Sequence, residues 1–237
     1  MNRPYIICLM TVSIDGKVTG EFLSASGCEA AVETYYEINR RLKCGGFICG
    51  RVTMEESFTG GWYPDLSEYK PVDHGPFSMN FWLDEEYMTG FYAIAFDPKG
   101  RLGWKSRFIE DSDPGYDRAQ IIEVLTEQVD KRYLAYLDEM EIPYLIAGKD
   151  EIDVALALRI LYDHIGADCL LLEGGSVVNG YFQRAGAVDE LSLVVAPVIG
   201  GKEDKPLFTD AAMEGYRLTE CTTCDNGVVW MRYRRQK

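Results

Sequence analysis

Three stretches of the chain combine residue types and spacing that could do chemistry, each where an apolar run gives way to glycine. The first is Glu173-Gly174-Gly175-Ser176-Val177-Val178, directly after Cys169-Leu-Leu-Leu172. Two glycines between a buried strand and a helix let backbone N–H groups approach an anion, and the helix dipole adds roughly half a positive charge. A diphosphate suits such a turn, although a tight strand-to-helix turn needs glycine in any case. The second is Gly50-Arg51-Val52-Thr53-Met54-Glu55. Arg51 brings a planar fork that matches phosphate, and Thr53 a hydroxyl; a capped helix with a surface arginine is the competing reading. The third is Ser13-Ile14-Asp15-Gly16-Lys17. Its carboxylate could orient a polar ring, or it could serve a turn, since Asp-Gly is a common turn pair. Arg41 is open in the same way, as a helix-terminal cation or as a clamp for an acidic substrate.

This inventory supplies anion sites and orienting groups but no strong nucleophile and no metal cage. Only His74 and His164 are present, and Cys221-x-x-Cys224 lacks a second ligand pair at zinc spacing. Hydride transfer fits, because a nicotinamide carries the difficult chemistry and the protein binds and orients. The formal net charge of −14 argues against nucleic acid, which requires a concentrated positive face. No apolar run reaches bilayer length and the N-terminus lacks the pattern of a secretory signal, so the expected location is cytoplasmic.

The elements that must position these residues alternate. Tyr5–Met10 and Phe47–Cys49 are short apolar runs expected as buried strands, with a helix between them over about 29–43 that Gly45-Gly46 should stop. Its inward face is expected at Ala30, Tyr35, Ile38 and Leu42. Strands follow at 91–96 and 119–125, a helix at 129–140 and a strand at 144–147. Asp153 should cap a helix over 154–162. The 169–172 strand, a helix to Ala185, a strand at 191–196 and two antiparallel strands near 216–223 and 228–233 complete the chain. The pattern predicts one α/β domain spanning 1–237, with a mostly parallel sheet. An irregular, aromatic-rich insertion occupies about 59–90 and could be a lid, a dimer contact or a packed surface excursion.

The motifs in this order resemble the RibD C-terminal domain family, the reductase domain of riboflavin biosynthesis. Its members share the dihydrofolate reductase-like three-layer sandwich. The resemblance runs through Ile152-Asp153, Cys169 to Gly175, Val188-Asp-Glu-Leu191, Ala196-Pro197 and Gly200-Gly201, with Ser13 to Lys17, Arg41 and Gly50 to Thr53 in the N-terminal half. It implies NADPH-dependent reduction of a ribosylamino-pyrimidine, by a homodimer. By the same likeness Val12, Gly50, Arg51, Thr53, Ile152 and Gly174 to Val178 bind the cofactor, with Arg51 favouring NADPH over NADH. Ser13 and Arg41 border the substrate, and Asp15 and Glu173 orient or protonate it. The sequence departs from the family's usual Asp-Asn-Pro, carrying Ser57-Phe58-Thr59, and has Phe22 to Ala25 where a Trp-Ile-Thr segment is usual. A pterin reductase, or a non-catalytic nucleotide-binding protein on the same fold, are the alternatives.

Overall fold

A computed structural model describes residues 2–72, 79–80 and 90–236. The chain divides into two compact units, and the division is not sequential. One unit, here the terminal unit, joins Tyr5–Lys43 to Cys169–Lys237; the other, the insert unit, comprises Cys44–Asp168 with the first four residues.

In the terminal unit five strands lie in the order β11 (Tyr216–Thr223), β12 (Val229–Arg235), β9 (Glu190–Val195), β1 (Tyr5–Val12), β8 (Cys169–Leu172). β1 runs parallel to both β8 and β9, and β12 is antiparallel to β9 and β11. A strand flanked on both sides has little water on either face, which explains why seven of the eight β1 residues are buried and why none is charged. β11, at the sheet margin, is exposed along almost its whole length. A short strand β2 (Lys17–Thr19) pairs antiparallel with β10 (Lys205–Pro206).

Helix α1 (Glu29–Leu42) ends where Lys43 turns left-handed, at φ 49°, so the chain leaves the helix before Gly45-Gly46. Its buried positions are Ala31, Ile38 and Asn39 rather than the expected line through Ala30, Tyr35 and Leu42. The shift brings a polar side chain inward. α5 (Ser176–Arg184) follows β8 through the glycine pair.

The insert unit repeats the logic. β3 (Gly46–Gly50), β5 (Tyr92–Phe96), β6 (Gln120–Leu125) and β7 (Tyr144–Ile146) are parallel neighbours in that order, and β4 (Met79–Asn80) adds antiparallel to β7. Gly46 is required by proximity: a Cβ there would lie 2.3 Å from the Tyr92 carbonyl oxygen. α2 (Arg51–Met54) runs on through a wider turn over Glu55–Thr59. α3 is Lys131–Glu139 and α4 is Val154–Ile165, the latter capped as expected by Asp153, which accepts from the Leu156 N–H at 3.0 Å.

The insertion expected at 59–90 begins as a packed excursion. Tyr63 donates to the Gly100 carbonyl at 2.8 Å and stacks on Tyr133, with centroids 6.0 Å apart, while Asp65 caps a short turn through the Ser67 N–H. Its later aromatics Phe77, Phe81 and Trp82 lie outside the described residues. Among those described, no helix is long and apolar enough to cross a membrane.

Candidate active site

In a parallel sheet, loops that bind ligands gather at the carboxyl ends of the strands. In the terminal unit β1 outruns β8: Cys8 pairs with Leu172, whereas Leu9 to Val12 continue beside β9. Chain leaving β8 therefore passes alongside the end of β1 that β8 does not pair. Gly174, at φ 100°, is placed so that a Cβ would meet the Met10 side chain at 3.2 Å, and the Gly174–Gly175 peptide is cis. Met10 thus forms part of the floor under the glycine pair.

α5 begins immediately. Asn179 N–H is the first to find a helical acceptor, the Gly175 carbonyl at 3.0 Å. The N–H groups of Ser176, Val177 and Val178 precede it and have no acceptor within the helix. With Val177 exposed, this first turn has donors suited to an anion. The Ser176 hydroxyl is not among them. It donates to the Pro206 carbonyl at 2.5 Å and meets the Thr209 hydroxyl at 2.7 Å, so it ties α5 to the 206–209 segment while its backbone amide stays with the turn.

Glu173, between β8 and the glycines, is buried and accepts from the Asn39 amide at 2.7 Å. Its charge, together with burial as the larger cause, drives the Cys8 thiol upward, so Cys8 is a neutral core residue rather than a nucleophile. Asn39 is a site residue that sequence reasoning missed. The signal was an amide on the inward face of α1, one position from Ile38.

Asp15 belongs to the turn after β1. It accepts from the Gly200 N–H at 2.8 Å and the Ser13 hydroxyl at 2.7 Å; in that order of weight, these bonds hold its carboxyl below the usual aspartate range. Held in this way, the carboxylate is an acceptor within the turn after β1. Ser13 further accepts from the Lys17 N–H at 2.9 Å. Gly200 fits because any Cβ would strike Lys17 at 2.4 Å. Arg41, in the last turn of α1, lies over the Trp230 ring at 4.3 Å. Trp230 pairs with Val194, and Val194 with Thr11, so the arginine is held one row from the end of β1.

In the insert unit Gly50 pairs with Phe96, Phe96 with Val124, and Leu125 with Ile146. Arg51, Thr53, Asp97 and Ile152 consequently follow the carboxyl ends of this sheet. Arg51 forms an ion pair with Glu55, one helical turn on, and both side chains are about one-third exposed. Asp97, unforeseen from sequence, is 1% exposed. It accepts from the backbone N–H groups of Arg101 and of Leu102, the latter at 2.8 Å, and so shapes the loop after β5. Burial pushes its carboxyl up, against the pull of those amides and of Arg51. Ile152 is half-buried in the loop before α4, where Asp153 N–H returns to the Ala147 carbonyl at 2.9 Å. Among the described residues no group of three or more His, Cys, Asp or Glu could hold a metal ion.

The RibD C-terminal domain family matches residues 96–230, more than half of the chain. The chain belongs to that family. Two relatives carry the name 2,5-diamino-6-ribosylamino-4(3H)-pyrimidinone 5′-phosphate reductase. That of Aquifex aeolicus (strain VF5) is 26% identical over 225 residues, covering 92% of this chain and 86% of the relative. That of Methanothermobacter thermautotrophicus is 25% identical over 209 residues, covering 88% and 84%. Among solved structures, Acinetobacter baumannii RibD superposes on the whole chain with TM-score 0.66 at 17% identity; the chain spans 59% of that protein. A pyrimidine reductase-like protein of Corynebacterium diphtheriae gives TM-score 0.66 at 18% identity, covering 100% of this chain and 93% of its own. These likenesses bear out the fold expected from the RibD resemblance: α/β, mostly parallel, antiparallel at the C-terminal strands.

Proposed function

We propose that the chain is an NADPH-dependent reductase that transfers hydride to a ribosylamino-pyrimidine 5′-phosphate, the reductive step of riboflavin biosynthesis, working as a cytoplasmic homodimer. The observation that carries this reading is the junction after β8. There a buried carboxylate, a glycine pair over Met10 and the first turn of a helix with three uncommitted N–H groups follow one another within six residues.

The residues fit a dinucleotide. Diphosphate oxygens suit the amides of Gly175 to Val178, with Gly174 keeping the approach clear. Taken by itself, the insert unit offers Arg51 and Thr53, which suit the phosphate that distinguishes NADPH from NADH, with Gly50 letting the chain turn there and Ile152 as apolar contact; the terminal unit offers Val12 as apolar contact. The nicotinamide, when bound, supplies the hydride. The protein binds and orients: Glu173, steadied by Asn39, accepts from ring or amino N–H groups of the pyrimidine; Asp15 and Ser13 hold the turn beneath it; and Arg41, stacked on Trp230, pairs with the substrate phosphate. The homodimer is supported by β11, whose outer edge meets no strand among the described residues of its unit and whose Leu218 is 49% exposed.

The test is loss of NADPH absorbance with the ribosylamino-pyrimidine phosphate, dihydrofolate and flavin as separate acceptors. Turnover confined to the pyrimidine is expected. Turnover of dihydrofolate alone would replace this reading with a pterin reductase, and NADPH binding without turnover of any acceptor would favour a nucleotide-binding protein.

A further inference from the structure

We infer that Glu55 sets the cofactor preference of this chain: by occupying Arg51 it restrains binding of the phosphorylated dinucleotide and leaves the unphosphorylated one untouched. The inference rests on the reading of Arg51 as the contact to the NADPH-specific phosphate.

The geometry is local to the insert unit. Arg51 opens α2 directly after β3, and Glu55 stands four residues on, which puts the two side chains on one helical face. The Nη1 hydrogen bond to Glu55 is the single side-chain bond that Arg51 makes among the described residues. A second carboxylate, Asp97, bears on the same guanidinium from the end of the adjacent strand β5. One cation therefore answers to two acids. Asp97 cannot turn away, since it is 1% exposed and its oxygen is committed to the amides of Arg101 and Leu102. Glu55 is about one-third exposed, and among the described residues no other side-chain hydrogen bond fixes it. It is the variable member of the three.

A phosphate dianion approaching Arg51 must share or displace the Glu55 carboxylate, and two anions on one guanidinium repel at contact distance. The unphosphorylated dinucleotide brings no charge to this position, so the same pair costs it nothing. Glutamine at position 55 would keep the length and the acceptor oxygen while removing the charge. The fold is not at risk, because a partly exposed i,i+4 pair contributes little to stability.

Dissociation constants for NADPH and NADH, read from nicotinamide fluorescence on the full chain, test this in wild type, Glu55→Gln, Arg51→Ala and the double variant. Glu55→Gln should tighten NADPH by about tenfold with NADH unchanged, the size expected for one charge removed at a partly exposed site. In the Arg51→Ala background the same substitution should move NADPH less than about twofold, because the effect runs through the arginine. A ratio of constants unchanged by Glu55→Gln, weaker NADPH binding, or an equal gain for both dinucleotides would overturn the inference while leaving the reductase reading intact. Full tightening without Arg51 would overturn it as well. Failure of both dinucleotides to bind wild type would sink the reading and the inference together.

Discussion

At the scale of single residues, buried polar groups carry the specific information. Asn39 donates to Glu173 where both are removed from water. Asn39→Leu should cost about 1–3 kcal/mol, because the carboxylate loses a donor it cannot replace with solvent. Thermal unfolding measures that cost, and kcat should fall with it if Glu173 orients the acceptor. Glu123 poses a different problem. It sits inside β6 at 0% exposure and accepts from the Trp104 indole and from Tyr133, and its second oxygen has no hydrogen-bond partner among the described residues. Burial, then the Asp97 charge, raises its carboxyl well above the ordinary 4.5. An acid raised on folding binds a proton that the unfolded chain has released. Its contribution is whole below pH 4.5 and is lost as pH rises through the higher folded value. Glu123→Gln, an isostere of the protonated form, should flatten that alkaline decline in the thermal midpoint; an unchanged slope would refute the assignment. Residues of this kind were illegible in the sequence for a plain reason. Arg51, Thr53 and the glycines stand in local motifs, whereas Asn39 and Asp97 acquire meaning only from partners that the fold delivers. Ser176 shows a further limit: its motif draws attention to the backbone amide, whereas the bonds of its hydroxyl to Pro206 and Thr209 depend on a segment some thirty residues away.

At the scale of elements, strands and helices were readable almost throughout, because buried parallel strands are apolar runs with glycine at their ends. The discrepancies have local causes. Lys43 ends α1 by adopting a left-handed conformation, two residues before the glycine pair expected to stop it. The inward face of α1 moved because Asn39, a polar residue, occupies it. The junction into α5 yields a prediction that separates binding from folding. Gly175 has φ −75° and ψ −168°, a backbone that any residue can adopt. Gly175→Val should therefore fold with a near-normal thermal midpoint while losing dinucleotide binding, because the branched side chain would fill the approach to the α5 amides. Calorimetric titration with NADPH reads the outcome, and retained affinity would remove the glycine turn from the cofactor site.

At the scale of the whole molecule, the alternation of strands and helices over 1–237 was foreseeable as α/β, whereas no composition change marks Lys43 or Asp168, where the chain passes between the two units. β11 offers the prediction proper to this scale. It is the marginal strand of the terminal unit, with Leu218 and Cys221 on display. Leu218→Asp should convert a dimer to a monomer in sedimentation by placing a charge on the seam; a dimer that persists would move the seam elsewhere. A last consequence follows from the pairing of β1 with strands far along the chain, Tyr5 with Cys169 and Ile7 with Glu190. On the ribosome, β1 must wait, apolar and unpaired, while the whole insert unit is made. Only once Cys169–Val195 have appeared can it find its neighbours. Synthesis rate and holdase chaperones should thus govern the yield of this protein more than the stability of its finished form.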